Sequence, residues 1–272
     1  MRMSREINQQ IHARVEDILA ACHTTQTMKN LITNPLTRAA IAGVAVWLAS
    51  VFMAHGQNKP GDLKQRILAQ AQSVGADDYA FTRTIRTEQT SNGKTEQKVS
   101  VEKFDPTKPA EARWTLTSVD GAPPSADVLK TFRADSAKRR VPGYYRLAGY
   151  FGTPATASTD SHGRTVFHFA VLPKDTAKVM DTDVSQNTTA DVSVGEANGV
   201  PLAEHVHLTV KPMRIKLLMK LERYESTARY RIGPEGKPLL VEQTSDMSGS
   251  GMGQEGRGHT VITYSDYRAV GH

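Results

Sequence analysis

His205 and His207 alternate with Val206 and Leu208 in a β-rich run. On a strand, both imidazoles project from one face, close enough to share a metal ion. A third ligand would have to come from elsewhere in the chain. His168 and Glu204 are the candidates, and no spacing in the sequence brings either one near. Histidines on a sheet face more often serve as surface or hydrogen-bonded groups, so no metal is expected. Gly251-Met252-Gly253-Gln254-Glu255-Gly256 has the form of a dinucleotide-binding loop. That loop needs a strand before it and a helix after it, and here a strand pattern follows, which predicts a hairpin loop. Ser250 lies between Gly249 and Gly251, but Ser248 stands where a nucleophile elbow requires its first glycine. The carboxylates are scattered without a recognisable acid/base pair. The single cysteine, Cys22, excludes a disulfide framework and a cysteine zinc site. The expectation is a binding protein with no catalytic residue and no cofactor. The rival is a metal-dependent hydrolase built on His205 and His207.

A chain of 272 residues with 39% apolar and 23% charged residues falls in the ordinary globular range. Residues 28–56 have the three parts of a secretory signal. Met28-Lys29 and Arg38 supply positive charge, Ala39 to Ala54 runs without a charge, and Ala54-His55-Gly56 offers small residues at a cleavage site before Gln57. The apolar run is shorter than the roughly 20 residues that span a bilayer. Glu6, Glu16 and Asp17 are unusual ahead of such a signal, so residues 1–27 read as a mis-assigned N-terminal extension. The expected layout is therefore an extension (1–27), a signal peptide (28–56) and one β-rich domain (57–272) in the periplasm. Export would remove five of the 34 basic and three of the 28 acidic residues, leaving a net charge near +4. That bias is too weak for nucleic-acid binding.

The elements that would position a site follow in order. Asp62 is the predicted N-cap of an amphipathic helix with Leu63, Ile67, Leu68, Ala71 and Val74 on one face. Tyr79 to Gln89 and Lys94 to Phe104 form strands around Asn92-Gly93, a type I′ turn signal. Phe81, Ile85, Val99 and Val101 are expected on one face of that hairpin, with Trp114 and Leu116 on the apolar side of the next strand. Ser125 is expected to cap a second helix through Ala137, whose apolar side is Val128, Leu129 and Phe132. Lys138-Arg139-Arg140 at its end reads either as a solvated helix terminus or as a patch for acidic lipid. Residues 164–172 make a strand, and 174–187 a loop or short helix. Met213 to Ile232 reads as one half-buried strand, with Ile215, Leu217, Met219 and Leu221 on one face and Leu218 as the exception to the alternation. Helix, strands, helix and a long antiparallel run argue for an α+β fold around one curved antiparallel sheet.

This layout resembles the periplasmic lipoprotein-localisation carriers (LolA/LolB-like) and the outer-membrane lipoprotein-sorting-like proteins. The likeness rests on the opening amphipathic helix, the Tyr79-Ala80-Phe81-Thr82 strand, the Asn-Gly hairpin, ARYRIGPEGKPLLVEQ (228–243) and TVITYSDYRAV (260–270), and it covers roughly residues 63–270. It implies an unclosed β-barrel whose concave face is covered by helices, with an apolar cavity for acyl chains. The expected partner is a lipid acyl chain or lipoprotein, with an envelope protein as an additional possibility. The ligand-binding residues expected to line the cavity are Phe81, Ile85, Trp114, Leu116, Ile215, Leu217 and Met219, between the sheet and the helices at 63–74 and 128–132. A different class stays open: an envelope-interaction or stress-sensing module that uses the outer sheet face and has no cavity.

Overall fold

Tyr79 to Ser91 (β1) and Lys94 to Phe104 (β2) pair antiparallel around Asn92-Gly93, both with positive φ (52° and 73°). The computed structural model describes residues 59–216, 219–251 and 254–271. The extension, the signal segment and Leu217 lie outside the described residues. The other strands are β3 (Trp114–Val119), β4 (Thr156–Thr159), β5 (Thr165–Phe169), β6 (Lys178–Val179), β7 (Thr182–Asp183), β8 (Thr188–Ala197), β9 (Val200–Val210), β10 (Met213–Lys216), β11 (Met219–Ile232), β12 (Pro238–Gly251) and β13 (Gln254–Ala269). Eleven of them form one sheet in the order β3-β2-β1-β13-β12-β11-β9-β8-β5-β4, with β10 pairing to β11; β6 and β7 form a small separate hairpin. Every described pairing is antiparallel, and the sheet is open, ending at β3 and β4. Among the described residues three α-helices accompany it: α1 (Pro60–Gln72), α2 (Ala126–Ser136) and α3 (Leu147–Phe151). This is the expected α+β architecture of an unclosed half-barrel.

Helix α1 starts earlier than Asp62. Pro60 opens it, because a first-turn proline gives up no hydrogen bond, and Asp62 sits in the first turn against the positive end of the dipole. Leu63, Ile67, Ala71 and Val74 are buried as the periodicity predicts. Ser125 accepts from Val128 N–H at 3.4 Å and caps α2. Tyr144, 1% exposed, fixes α1 to the sheet: its hydroxyl donates to Gln70 Oε1 at 2.7 Å and accepts from Ala203 N–H at 3.0 Å. Tyr144→Phe strands that buried amide, which costs about 1–3 kcal/mol. A urea melt of the variant is expected to show the loss.

Two pairing expectations are corrected. A two-residue turn sets Phe81 opposite Phe104 and Ile85 opposite Ser100, so Val99 and Val101, paired with Arg86 and Thr84, lie on the other face. The stretch 213–232 is two strands, since Met213 pairs with Leu221 and Lys216 with Met219. The reversal falls where Leu218 broke the alternation. β9 and β10 lie along the same edge of β11 on either side of Pro212, which has no N–H for the ladder. The stretch 164–172 is strand only through Phe169, and Val171 is exposed. The 174–187 stretch contains the β6–β7 hairpin and a turn of 3-10 helix at Ser185–Asn187.

The helices pack on one face of the sheet, here the inner face. Register partners share a face, so its rows can be read across the strands. One row is Ile85, Ile262, Gln243, Ala228 and Val206. The next is Thr87, Thr260, Ser245, Ser226 and Leu208, and then Gln89, Gly258, Met247, Tyr224 and Val210. The last rows hold Ser91, Gly256, Gly249 and Leu221, then Gln254, Gly251 and Met219. The bulge between Leu221 and Arg223 changes the inward parity of β11.

Candidate functional site on the inner sheet face

Four glycines in β12 and β13 lie along one hollow of the sheet. Gly249, Gly251, Gly256 and Gly258 all fall on the inner face: Gly249 faces Gly256, Gly251 faces Gln254 and Gly258 faces Met247. A Cβ on Gly258 would meet only Glu88 O and Met247 Cε, both at 3.9 Å, and one on Gly256 only Thr90 O at 3.8 Å. Both would point into open space. Gly249 differs, because a Cβ there would stand 2.5 Å from Lys220 O, so this glycine is required for close strand approach at the bulge. The hairpin loop expected at 251–256 is shorter than that, because strand runs through Gly251 and resumes at Gln254.

Around this glycine floor stand Met180, Ile215, Met219, Leu221 and Met247, beside an open hollow of about 290 Å³ whose lining also includes Lys220, Glu255 and Arg257. It lies at the end of the sheet where β1 turns into β2 and β12 into β13. Met180 comes from the tip of the β6–β7 hairpin, with left-handed backbone (φ 45°), and is 46% exposed. Thr182 ties that hairpin to β10 by donating its hydroxyl to Ile215 O at 2.9 Å. Asp183 holds the hairpin's return. It accepts from the Ser185 hydroxyl and, at 3.0 Å, from the Ser185 and Asp175 amides. These bonds, the Ser185 hydroxyl first, lower its pKa from 3.8 to about 2. A depressed carboxylate pKa gives stability that is complete above the ordinary value and is lost as pH falls through the folded one. Faster hydrogen exchange at Ser185 and Asp175 is therefore expected as pH drops from about 4 towards 2, after correction for intrinsic rates. Asp183→Asn should remove that pH dependence.

A second hollow of about 120 Å³ adjoins the first on β11 and β12: Tyr224 lines one, and its register partner Met247 lines the other. It lies between the sheet and residues 142–150 and 176–184, and its lining contains Arg146, Tyr150, Ser226, Tyr230 and Gln243.

The structure separates the expected cavity residues. Ile215 and Met219 line the glycine-floored hollow together. Ile85 is half-buried beside Ile262, two rows from that hollow. Phe81 and Trp114 sit in a filled aromatic cluster with Phe104, Tyr264 and Tyr267, at ring separations of 4.9 to 5.8 Å. Leu116 faces α2 in a separate space with Val128 and Phe132. Between the sheet and α1 the interior is solid with side chains, with Ile67 and Ala71 fully buried.

Beneath α2, Glu102 (5% exposed side chain) accepts from Arg83 at 2.6 Å and from Arg139 at 3.1 Å. The two guanidiniums lie 4.1 Å from the Trp114 and Phe132 rings. Arg139 is thus an interior tether, and Arg140 donates to Asp175 O, so Lys138-Arg139-Arg140 is not simply a solvated terminus.

On the outer face, His205 and His207 do project together from β9. His207 faces Thr227 and Thr209 hydroxyls at 3.3 and 3.2 Å. Glu204 lies near Arg164 at 3.7 Å. Among the described residues, no group of three or more metal-type ligands assembles. His168 is engaged elsewhere. Its Nδ1 is 2.6 Å from Asp191 Oδ1, and its Nε2 is 2.7 Å from Ser158 Oγ. With Nδ1 donating to the carboxylate, Nε2 of the neutral ring accepts from the serine. This is the hydrogen-bond order of a hydrolytic triad. No local pattern announces it, since the three residues lie on three strands. His168 and Asp191 are 42% and 50% exposed on the sheet surface, where water competes for every charge the reaction would develop.

No family model and no curated protein matches the sequence. The chain is similar in structure to a LolA superfamily protein from Nitrosomonas europaea, with 14% identity, 77% of this chain and 94% of that one covered, and a TM-score of 0.31. It is also similar to a DUF1329 family protein from Desulfovibrio piger (12% identity, 77% and 91% covered, TM-score 0.30). A domain from Vibrio parahaemolyticus described as an outer membrane lipoprotein-sorting protein gives 13%, 77% and 91%, and 0.31. At these scores the similarity says nothing of what this chain binds. Among the described residues, no helix is long and apolar enough to cross a membrane.

Proposed function

We propose that this chain is an exported, non-enzymatic binding protein that holds an alkyl chain on the inner face of its open sheet. The observation that carries this reading is the glycine floor. Gly256 and Gly258, with Gly249 and Gly251 on the same face, floor a hollow lined on its apolar side by Met180, Ile215, Met219, Leu221 and Met247. Methionine suits such a wall, because its unbranched thioether adapts to a flexible ligand. Each methylene buried contributes about 0.8 kcal/mol. The volume is near the lower bound of small-ligand sites, roughly 300 Å³, which suits part of one chain. The ligand class is a free lipid or the acyl group of a lipoprotein, and the compartment is the periplasm, from the tripartite segment at 28–56. Native mass spectrometry with lipid extraction, on protein purified from its own envelope, tests the reading. Co-purifying acylated ligand, with a mature N-terminus near Gln57, is the expected result. Protein that emerges empty and refuses added alkyl ligands overturns it.

A second reading rests on Ser158, His168 and Asp191, which could cleave esters at the exposed Ser158 hydroxyl. Hydrolysis of p-nitrophenyl acetate separates the two. The binding reading expects no rate that depends on Ser158, and a rate lost in Ser158→Ala would establish the hydrolase.

A further inference from the structure

Arg146 is the unusual residue of the smaller hollow. It is half-buried, and its one described hydrogen bond is from Nη2 to Thr176 O at 3.1 Å. Among the described residues it forms no salt bridge, and no carboxylate lines the hollow. A desolvated guanidinium without an anion is costly, because it loses water and gains no opposite charge. Arg83 and Arg139 show the usual remedy here, since both are paired to Glu102.

The space around Arg146 is rich in hydroxyl groups. Tyr150, Tyr224 and Tyr230 line the same hollow. Burial raises the pKa of each above the ordinary phenol value, against the opposing charge of Arg146, so each hydroxyl keeps its proton. Thr176, Thr188, Ser226 and Gln243 add polar groups beside Val206, Leu208 and Val210, and the second cation of the lining, Lys178, has a carboxylate partner in Asp175 at 3.8 Å. The hollow adjoins the glycine-floored one at Tyr224 and Met247. A cationic, donor-rich pocket thus meets an apolar one on a single sheet face.

We infer that the alkyl ligand carries a compact oxyanion head, a carboxylate or a monoester phosphate, and that Arg146 binds that head while the chain lies over the glycine floor. This rests on the acyl-binding reading above and narrows it to anionic amphiphiles. A hollow of about 120 Å³ admits a carboxylate or one phosphate. Guanidinium suits both, because its planar fork can donate two parallel hydrogen bonds to two oxygens of one anion.

The test measures binding of dodecanoate, dodecyl phosphate and methyl dodecanoate to the wild type, Arg146→Gln and Arg146→Lys by calorimetry, below the micelle concentrations. The wild type is expected to bind at least one anion about tenfold or more tighter than the ester. Comparing the two anions identifies the head. Arg146→Gln should reduce the preferred anion to the ester's affinity while leaving the ester unchanged, which also shows that the hollow still folds. Arg146→Lys should fall between, keeping the charge but losing the fork. An ester that binds the wild type as tightly as both anions overturns the inference and leaves the acyl reading intact. So does a preference that survives Arg146→Gln. Failure of all three ligands to bind the wild type overturns both.

Discussion

Gly258→Leu is expected to weaken binding of a dodecyl ligand by at least about tenfold without lowering the melting temperature. The added side chain enters the hollow, because its Cβ meets nothing closer than 3.9 Å. Displacing two methylenes already removes about 1.6 kcal/mol of burial, more than a factor of ten in affinity. Stability should hold or rise, since glycine inside a strand costs roughly 0.5–1 kcal/mol relative to alanine. Gly249→Ala makes the contrasting control. Its Cβ would collide with Lys220 O at 2.5 Å, so this smaller change should destabilise the sheet by about 1–3 kcal/mol. Chemical melts together with probe titration on both variants separate a filled hollow from a damaged strand. Loss of stability in Gly258→Leu with binding retained would show that the hollow does not hold the ligand.

Glu102→Leu should be among the most destabilising single changes, by about 3–5 kcal/mol, because it leaves Arg83 and Arg139 without their shared anion. Arg83 has nowhere to turn: its side chain is 12% exposed and stacked over Trp114. For a domain of this size the loss corresponds to a drop in melting temperature on the order of 10 °C. Arg139→Met should cost less, since Arg139 is 28% exposed and Glu102 keeps Arg83. A thermal melt of each variant checks the order. Equal or negligible shifts would mean that the cluster adds nothing to holding α2 on the sheet.

The fold was legible because its local signals agree. Asn92-Gly93 fixed one hairpin, Ser125 capped α2, and the heptad-like spacing from Leu63 to Val74 buried the expected side of α1. Asn198-Gly199, also at positive φ, marks the β8–β9 hairpin by the same chemistry. Face assignment was less secure. Counting residues across the two-residue turn would have placed Val99 and Val101 on the outer face. The site was only half visible. Ile215 and Met219 carry an apolar pattern that any buried strand shares, and Phe81 and Trp114 carry the same pattern into a filled core. The distinguishing signal was the glycines. Odd positions of β12 pair with even positions of β13, so Gly249, Gly251, Gly256 and Gly258 must share one face if both flanks are strands. Reading them as a flexible loop hid that. Arg146 and Met180 reach the site from distant segments, which no local pattern could place.

The most direct measurement of the central claim is the methyl spectrum of protein carrying ¹³C-labelled methionine methyls. Met180, Met219 and Met247 surround the glycine floor from three different elements. Titration with dodecanoate is expected to shift these three signals together, along one saturating curve, and Gly258→Leu should suppress the shift. Signals that stay in place while ligand binds, or that move only for methionines away from the floor, would contradict an acyl site on the inner sheet face.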